Sequence, residues 1–410
     1  MISLAEARAR ALAAVAPAAP ESLPLLSTLG LFLAEPVVAS RALPGCDNSA
    51  MDGYAVRAAE TVGANRDHPA RARVVQVIYA GSAPGRPLGA GEAARIFTGA
   101  PVPEGADCVV RQEAAQQEGD IALLFVEARP GEHVRRKGEE LRAGQILFSA
   151  GQPVDAAVAG VLAAQGHPRA FVRPRPKVAV LTVGDELVPL GAEAAPHQVY
   201  ESNGVLLSAL AMDAGAEVLA TERLPDDDAR LRAAFERWLP RVDLLVTSGG
   251  ASVGEKDRVK HVLSGMGASL EVDGVALKPG KPVGVARLAG KAVVVLPGNP
   301  GAATVAFDQL ARPMLLGRQG VREERARLRV RLDAPRHKQA GLTYLMSARL
   351  EPTEDGLPWA RIRPQGAGQI FQNVGAEGWA VLPAGRADFE QGESVEFERF
   401  SRPRYLPLER

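Results

Sequence analysis

Short, almost wholly apolar runs alternate with helical patterns between residues 177 and 320, and this alternation constrains the fold more than any other feature. Two of the runs are Lys177–Thr182 and Val293–Leu296. Strands of this composition are typical of parallel sheets that are buried on both faces. Repeated strand–helix units therefore predict a mostly parallel sheet covered by helices on both sides, with right-handed crossovers.

The other segments of the 410-residue chain have different sequence patterns. Ser3 is placed to cap an N-terminal helix, and Leu25–Leu33 and Val154–Ala164 also have helical patterns. Between these segments lie short β-like runs broken by Gly and Pro, and alternating strands return after Gly320. The predicted fold is multidomain, α/β and β: a helical and extended linker domain (1–43 plus 143–174), an inserted β-rich domain (44–142), an α/β domain (175–320) and a small C-terminal β-barrel-like domain (321–410).

Composition excludes several classes of function. The 48 basic and 48 acidic residues cancel, and the densest basic run, Val134–Lys137, is followed by two glutamates. This balance argues against non-specific nucleic-acid binding. Two cysteines are too few for a disulfide framework, and no apolar stretch approaches the roughly 18 residues of a membrane span. We expect a cytoplasmic protein with no nucleic-acid or membrane partner.

Unusual loops follow the predicted parallel strands, at the edge where ligands bind in such sheets. The loop Ser248–Gly254 combines glycines with hydroxyls, and a helix follows it. Glycines permit close backbone approach, and a helix N-terminus favours negative charge, so the loop could cradle an anion. An ordinary glycine-rich turn from strand to helix explains the same residues, and the sequence leaves both interpretations open.

A second loop, Lys278–Pro282, presents Lys278 and Lys281 from a tight bend. Its prolines and glycine exclude a helix and stiffen the chain, which suits recognition of a small oxyanion or a phosphate. A solvated surface turn remains the other interpretation. The turn Pro297–Pro300, which leads from a strand into a helix, is by itself equally open to a purely structural explanation.

Carboxylates are predicted at the same edge of the sheet. These are Asp185, Glu186, the run Asp226–Asp228 and Asp257. They would repel a phosphate unless a divalent cation lay between, and Mg²⁺ typically takes one or two carboxylates together with substrate phosphate oxygens. Helix capping is sufficient to explain two of the three residues in Asp226–Asp228, whereas Glu186 has no comparable structural explanation.

The inserted module carries two further polar segments, Asp47–Tyr54 and Phe97–Asp107. On their residues alone, β-turn chemistry explains both segments. The sequence shows no metal–thiolate, histidine-rich or Ser-His-Asp signature, and its six histidines lie singly in polar or proline-flanked contexts.

Taken together, these segments resemble the molybdopterin molybdenumtransferase family, which includes bacterial MoeA and the E domain of gephyrin. The matching segments occur in the family's order over about three quarters of the chain, and they are Asp47–Ala55, Thr98–Pro101, Gly184–Leu187, Ser248–Gly250, Ser252–Gly254, Lys278–Pro282 and Leu296–Pro300. Each motif is weak alone, but the ordered set is specific.

The resemblance implies a homodimer whose active site lies between the α/β molybdopterin-binding domain of one subunit and the β-rich domain of the other. The implied reaction inserts molybdate into adenylylated molybdopterin, requires Mg²⁺ and releases AMP. It also implies contact with the adenylyltransferase that supplies the substrate and with the molybdoenzymes that accept the product.

The resemblance assigns roles to individual residues as well. The implied catalytic residues are Asp52, Thr98, Glu186, Lys278 and Lys281, with Asp52 and Thr98 reaching in from the partner and the lysines binding molybdate or pyrophosphate. The implied cofactor-binding residues are Gly184, Asp185, Ser248, Gly249, Gly250, Ser252, Gly254, Pro297, Gly298, Asn299 and Pro300, the last four near the dithiolene. The implied metal ligands are Glu186, Asp226 and Asp257.

Three positions depart from the family pattern. Val183 stands where most members have threonine, Ser347 lies near the usual place of an arginine, and Ala367 replaces a common serine. Arg349 lies two residues beyond Ser347, on the same strand face. Two alternatives to the enzyme remain open: a molybdopterin-binding carrier or scaffold without turnover, and the related adenylyltransferase.

Overall fold

The computed structural model describes residues 1–250, 258–364 and 366–400. The chain divides into two compact units, the first made of Met1–Ala34, Pro153–Ala159 and Arg169–Arg410, and the second of Glu35–Gln152 and Gly160–Pro168. The finer division into four domains stays a prediction. Within the described ranges, no helix combines the length and the apolar character needed to cross a membrane.

The chain begins with the capped helix that its sequence predicts, α1 (Leu4–Ala13), whose Glu6 N–H donates to the Ser3 hydroxyl at 3.2 Å. The helical prediction for Leu25–Leu33 is wrong. Only a short 3₁₀ segment, Leu25–Thr28, forms there, between strands β1 (Glu21–Pro24) and β2 (Phe32–Leu33). Both strands pair antiparallel with Arg169–Arg173, so a partner distant in sequence overrides the local pattern.

The second unit is rich in β-structure, as predicted. Its strands are β3 (Val37–Val38), β4 (Asn48–Ser49), β5 (Gly53–Val56), β6 (Ala70–Ile78), β7 (Glu92–Ile96), β8 (Cys108–Arg111), β9 (Ala115–Glu118), β10 (Ile121–Leu124), β11 (Val134–Arg135) and β12 (Ile146–Phe148). Six of them form one sheet in the order β8-β5-β7-β6-β10-β9. In β5, Tyr54 belongs to one hydrophobic cluster and the next residue, Ala55, belongs to another. Because successive side chains of a strand point to opposite faces, both faces of this sheet are covered.

Helix α2 (Ala156–Ala164) and strand β13 (Arg169–Arg173) lead into the α/β region. Its strands are β14 (Lys177–Val183), β15 (Leu187–Val188), β16 (Val199–Tyr200), β17 (Glu217–Leu224), β18 (Leu244–Ser248), β19 (Ser269–Asp273), β20 (Leu277–Lys278), β21 (Gly284–Leu288) and β22 (Lys291–Leu296). Its helices are α3 (Asn203–Asp213), α4 (Asp228–Trp238), α5 (Arg258–Gly265), α6 (Pro300–Ala306) and α7 (Arg312–Arg318), with a π-helical segment, Phe307–Ala311, between the last two.

The main sheet has the order β17-β14-β18-β22-β21-β19. Its first four strands are parallel, and the last two add an antiparallel edge. Val178 and Val180 of β14 face one core with α1, α3 and α6, whereas Ala179 and Leu181 face a second core with α4 and α5. The predicted sheet with helices on both faces is confirmed.

The C-terminal strands are β23 (Arg327–Leu332), β24 (Arg336–His337), β25 (Thr343–Glu351), β26 (Trp359–Ile362), β27 (Gly378–Leu382), β28 (Asp388–Phe389) and β29 (Ser394–Arg399). Five of them close a barrel in the order β25-β26-β23-β29-β27, because β27 pairs back onto β25. The predicted barrel-like domain is confirmed, with one parallel pair, β23–β26, among its antiparallel ones.

Candidate functional site at the carboxyl edge of the sheet

Strands β14, β18 and β22 end side by side, which brings three of the predicted loops together. In the parallel register Thr182 lies opposite Ser248, and Ser248 lies opposite Leu296. The chain leaves these strands at Gly184, Gly249 and Pro297, so the loops that follow start at one edge of the sheet. The sequence-based expectation that these segments converge is met in the described residues.

Hydrogen bonds join two of these loops to the start of α3. The Asn203 side-chain amide donates to the Ser248 hydroxyl at 2.8 Å and to the carbonyl oxygen of Gly298 at 2.6 Å. The Ser248 hydroxyl donates onward to the carbonyl oxygen of Pro297 at 3.0 Å. Asn203 is not among the residues that the sequence predicts for this site. Its position at the same sheet edge is the signal that could have identified it.

Main chain rather than side chains forms the floor between these loops. Gly249 has φ +91°, and a Cβ there would lie 2.0 Å from the carbonyl oxygen of Val183. A Cβ on Gly298 would lie 3.4 Å from the Cα of Gly249. Only glycine permits this approach at position 249. The floor thus leaves main-chain groups close to any ligand bound above it.

Two buried polar atoms near this floor have no hydrogen-bond partner within the described ranges. They are the Thr182 hydroxyl and the Asn203 side-chain oxygen. Thr182 is 1% exposed and pairs with Ser248 across the sheet. Three residues predicted for this site, Ser252, Gly254 and Asp257, lie outside the described residues.

The predicted carboxylates only partly come together. The Asp185 N–H donates to the Asp226 carboxylate at 3.4 Å, and the Asp226 N–H donates to the Asp185 carboxylate at 3.1 Å, so these two loop residues are reciprocally joined. The Glu186 carboxylate folds back over Gly184, where an added Cβ would lie 2.5 Å from Oε2. No group of three or more metal-binding side chains exists among the described residues. The metal set Glu186, Asp226 and Asp257 stays a prediction.

The neighbouring Asp227 has the capping role that the sequence predicts, whereas Asp228 lies in the first turn of α4. Asp227 caps α4 by accepting from the Arg230 N–H at 2.8 Å, and Asp228 pairs with Arg258 at 3.2 Å. Val183, a departure from the family pattern, has a buried side chain in the core shared with α4 and α5. A valine at this position therefore contributes to the core.

The lysine loop lies against α6, the helix that follows Pro297–Pro300. A Cβ on Gly280, which has φ +118°, would lie 3.6 Å from the Ala302 carbonyl oxygen and 3.6 Å from the Ala306 Cβ. Lys278 and Lys281 are both exposed. Within the described part of the chain, the structure records no ion pair for either ammonium group. Both charges are therefore available to an anion.

A loop of the C-terminal barrel covers the start of α6. The Ala302 N–H donates to the Ala367 carbonyl oxygen at 3.2 Å, and a Cβ on Gly301 would lie 2.3 Å from the Gln372 amide nitrogen. The buried Gln372 accepts from the Gly366 N–H at 3.2 Å and, through its carbonyl oxygen, from the Ser347 hydroxyl at 3.1 Å. Two residues that depart from the family pattern are therefore found here. Ala367 lies in the loop, and Ser347 donates a hydrogen bond to Gln372, which contacts it.

The nearby Arg349 is exposed and donates to the Gly375 carbonyl oxygen at 2.9 Å. Its side chain also covers Gly375 closely, because a Cβ at that glycine would lie 2.0 Å from the guanidinium. The guanidinium is therefore engaged at Gly375, whereas Ser347 is buried toward Gln372.

In the second unit, Asp52 and Thr98 form a hydrogen-bonded pair. The pairing of β5 with β7 places Gly53 opposite Ile96, so the residues flanking these strands are neighbours. The Asp52 Oδ1 accepts from the Thr98 N–H at 2.8 Å and from the Thr98 hydroxyl at 2.7 Å. These two hydrogen bonds, together with the nearby Arg95 charge, hold the pKa of Asp52 below its usual range. The half-buried carboxylate is thereby kept ionised.

Comparisons with known proteins cover all of these regions. Residues 2–166 match the MoeA N-terminal region (domain I and II), residues 179–317 match a probable molybdopterin binding domain, and residues 329–400 match the MoeA C-terminal region (domain IV). Both parts of the predicted site thus lie within matched regions.

Individual relatives agree with the family models. A protein named molybdopterin molybdenumtransferase 2 from Mycobacterium tuberculosis is 43% identical over 72% of this chain and 74% of its own length. A molybdopterin molybdenumtransferase from Haemophilus influenzae is 31% identical over 98% of this chain and 99% of its own length. The crystal structure of the molybdopterin biosynthesis MoeA protein from Pyrococcus horikosii has a TM-score of 0.84 at 30% identity, covering 98% of this chain and 100% of that one.

Proposed function

Because the chain belongs to the molybdopterin molybdenumtransferase family, we propose that it inserts molybdate into adenylylated molybdopterin and releases AMP. The observation that carries the proposal is the convergence of the Ser248–Gly250 and Pro297–Pro300 loops into one main-chain floor. Beside that floor, the exposed Lys278 and Lys281 supply positive charge. A substrate with phosphates and an incoming oxyanion needs both features.

The floor suits the phosphate end of the pterin. Donors near an anion stabilise it most when they are already fixed in place, since they need no reorganisation on binding. Asn203 and Ser248 hold the floor closed through hydrogen bonds. Gly249 is buried in it, with its N–H donating to the Leu296 carbonyl oxygen at 3.3 Å, so the main chain open to a ligand is that of Gly298 and, in part, of Gly250. The two lysines then bind molybdate or the pyrophosphate, and the dithiolene lies near Pro297–Pro300.

The carboxylates at this edge have the chemistry that Mg²⁺ requires. Mg²⁺ takes oxygen ligands, commonly one or two carboxylates together with substrate phosphates. The joined Asp185 and Asp226 and the neighbouring Glu186 are all oxygen donors at one sheet edge. Glu186 and Asp226 would hold the ion, with Asp257 as a further ligand. When bound, Mg²⁺ would neutralise charge on the phosphates.

Asp52 of the partner subunit and Thr98 of the partner subunit complete the proposed site in a homodimer. This part of the proposal is supported by an ionised, partly accessible carboxylate whose orientation Thr98 sets. The adenylyltransferase that makes the substrate and the molybdoenzymes that receive the product are the proposed further partners. Both cysteines are unpaired thiols, which is compatible with a cytoplasmic location.

The direct test is turnover by the purified full-length chain. With adenylylated molybdopterin, Mg²⁺ and molybdate, chromatography should detect AMP release that depends on molybdate. Tight binding of the substrate without release would identify a carrier or scaffold instead. Formation of adenylylated molybdopterin from ATP and molybdopterin, without the insertion step, would identify an adenylyltransferase.

The variant Lys281→Ala tests the oxyanion role. Loss of one exposed ammonium should raise the molybdate concentration needed for half-maximal AMP release about tenfold, on the scale of one charge-assisted contact. Lys177→Ala is the matched control, because Lys177 is an exposed lysine at the opposite end of β14. An unchanged molybdate response in Lys281→Ala would remove this lysine from the site.

A further inference from the structure

The backbone of Lys278 is held by the C-terminal barrel. Strand β20, which consists of Leu277 and Lys278, pairs in parallel with Thr343 and Tyr344 of β25. The Thr343 N–H donates to the Ala276 carbonyl oxygen at 2.9 Å. The start of the lysine loop is therefore an added strand of the barrel sheet, and its position depends on β25.

The Lys278 side chain has one recorded partner in the described part of the chain, the ring of Tyr344. Its ammonium nitrogen lies 5.2 Å from the ring centroid, within the range of a cation–π interaction. A lysine side chain loses rotamer freedom when it is fixed in one geometry. Because the Tyr344 ring already restricts the Lys278 ammonium, the side chain has less conformational freedom left to lose when an anion binds.

The Tyr344 ring is itself held in place from several directions. It packs against the hydrophobic core of the barrel, and its phenol oxygen accepts from the Gln339 N–H at 3.3 Å. The ammonium of Lys338 also lies 5.2 Å from its centroid. A ring with these contacts can serve as a fixed support.

Lys338 differs from Lys278 in being unavailable to a ligand. It is 3% exposed, and its ammonium donates to the Leu342 carbonyl oxygen at 2.8 Å. Burial lowers the pKa of Lys338, and the nearby Tyr344 opposes that effect. The Tyr344 ring thus has the buried Lys338 and the exposed Lys278 beside it, and only Lys278 can reach an anion.

We propose that Tyr344 is a positioning residue for Lys278: the barrel places this ring so that the exposed ammonium is oriented for the incoming oxyanion. The inference rests on the proposed function, in which Lys278 binds molybdate or pyrophosphate. It assigns the C-terminal barrel a direct influence on the anion site of the α/β sheet.

The test uses Tyr344→Leu, which removes the ring, and Tyr344→Phe, which keeps it. In the full-length protein with adenylylated molybdopterin and Mg²⁺, Tyr344→Leu should raise the KM for molybdate about two- to fivefold, the effect of one exposed cation–π contact, while kcat changes less. Tyr344→Phe should stay near the parent value. Trp359→Leu is the control, since it removes a barrel ring that lies against Arg331 and Arg361 instead.

A double-mutant cycle distinguishes positioning from a general effect on the fold. In a Lys278→Ala background, Tyr344→Leu should raise the KM no further, because the group it orients is gone. The proposal is overturned if Tyr344→Leu has the same effect in both backgrounds, if Tyr344→Phe matches Tyr344→Leu, or if Trp359→Leu gives an equal increase.

A second measurement needs no turnover and applies even if Tyr344→Leu does not fold. After ¹³C-dimethylation of the lysines, the Lys278 resonance, assigned by its loss in Lys278→Ala, should show an upfield ring-current shift that Tyr344→Phe retains. Lack of that shift overturns the positioning role. A retained shift in a protein that releases no AMP would instead count against the proposed function alone.

Discussion

The carboxyl edge of the α/β sheet and the Asp52–Thr98 pair hold their polar groups in place by different physical means. At the sheet edge, Ser248 is 1% exposed and Gly249 lies against the main chain of Val183. Thr98 is exposed and Asp52 is half-buried, and two hydrogen bonds to one carboxylate oxygen define the geometry of this pair. The first region should tolerate little change in shape. The second should tolerate a change in shape but not the loss of charge.

The largest effect is expected for Gly249→Ala. The new Cβ would lie 2.0 Å from the Val183 carbonyl oxygen at φ +91°, so strain and a backbone clash act together. We expect a loss of about 4 kcal/mol or more in the free energy of unfolding, seen as a lower thermal midpoint or loss of folded protein.

The control for this variant is Gly290→Ala in the same sheet. Gly290 has φ +77°, but nothing lies within 4 Å of the position of its Cβ. Only backbone strain remains there, so we expect a loss of about 1 kcal/mol. If the two variants lost equal free energy of unfolding, the close approach of Gly249 to the Val183 main chain would be unimportant. The sheet edge would then not be the more shape-sensitive of the two regions.

A smaller effect, confined to turnover, is expected for Asp52→Asn. The substitution keeps the shape of the side chain and removes its charge, and Asp52 is only half-buried. We expect AMP release to slow by about tenfold or more, with the thermal midpoint and pterin binding unchanged. Asp120→Asn is the control, because Asp120 is an exposed aspartate of the same unit. Equal loss of rate and of pterin binding would contradict the assignment of Asp52 to the partner side of the site.

The smallest effect is expected for Thr98→Val. This variant removes the hydroxyl donor to the Asp52 carboxylate and keeps the second donor, the main-chain N–H of residue 98. Because those hydrogen bonds lower the pKa of Asp52, losing one should raise it. A depressed native pKa adds stability that is present above the ordinary pKa and is lost as the pH falls through the native value. The acid limb of the pH–rate profile should therefore move to higher pH in Thr98→Val. A carboxyl titration by NMR that shows no upward shift would contradict the pairing.

Sequence reasoning worked where local pattern and strand direction determine position. The apolar strands, the caps at Ser3 and Asp227, and the convergence of three loops all follow from periodicity and from the parallel arrangement. It failed at Leu25–Leu33, where pairing with the distant Arg169–Arg173 outweighs helical spacing. Such pairings join residues far apart in the chain and leave no periodic signal.

The same limit explains the residues that the sequence did not indicate. Asn203 resembles a helix start, and its role emerges only when α3 meets the ends of β18 and β22. Tyr344 and Gln372 belong to the barrel, and their contacts with Lys278 and Gly301 require β25 and its neighbouring loop to lie beside the sheet edge. No spacing rule connects a tyrosine to a lysine sixty-six positions earlier.

Helix α1 packs into the first core of the sheet, where Ala7 and Ala11 lie among residues of β14, β18 and β22. During synthesis this helix is made roughly 160 residues before β14, a delay of about 10 to 30 seconds at usual translation rates. During that interval the apolar face of α1, with Ala7 and Ala11, has no sheet to pack against. The apolar face of α1 is therefore covered only after the α/β region has been made, and a fragment starting at Lys177 would lack α1 and expose the apolar surface that Ala7 and Ala11 cover, which favours aggregation.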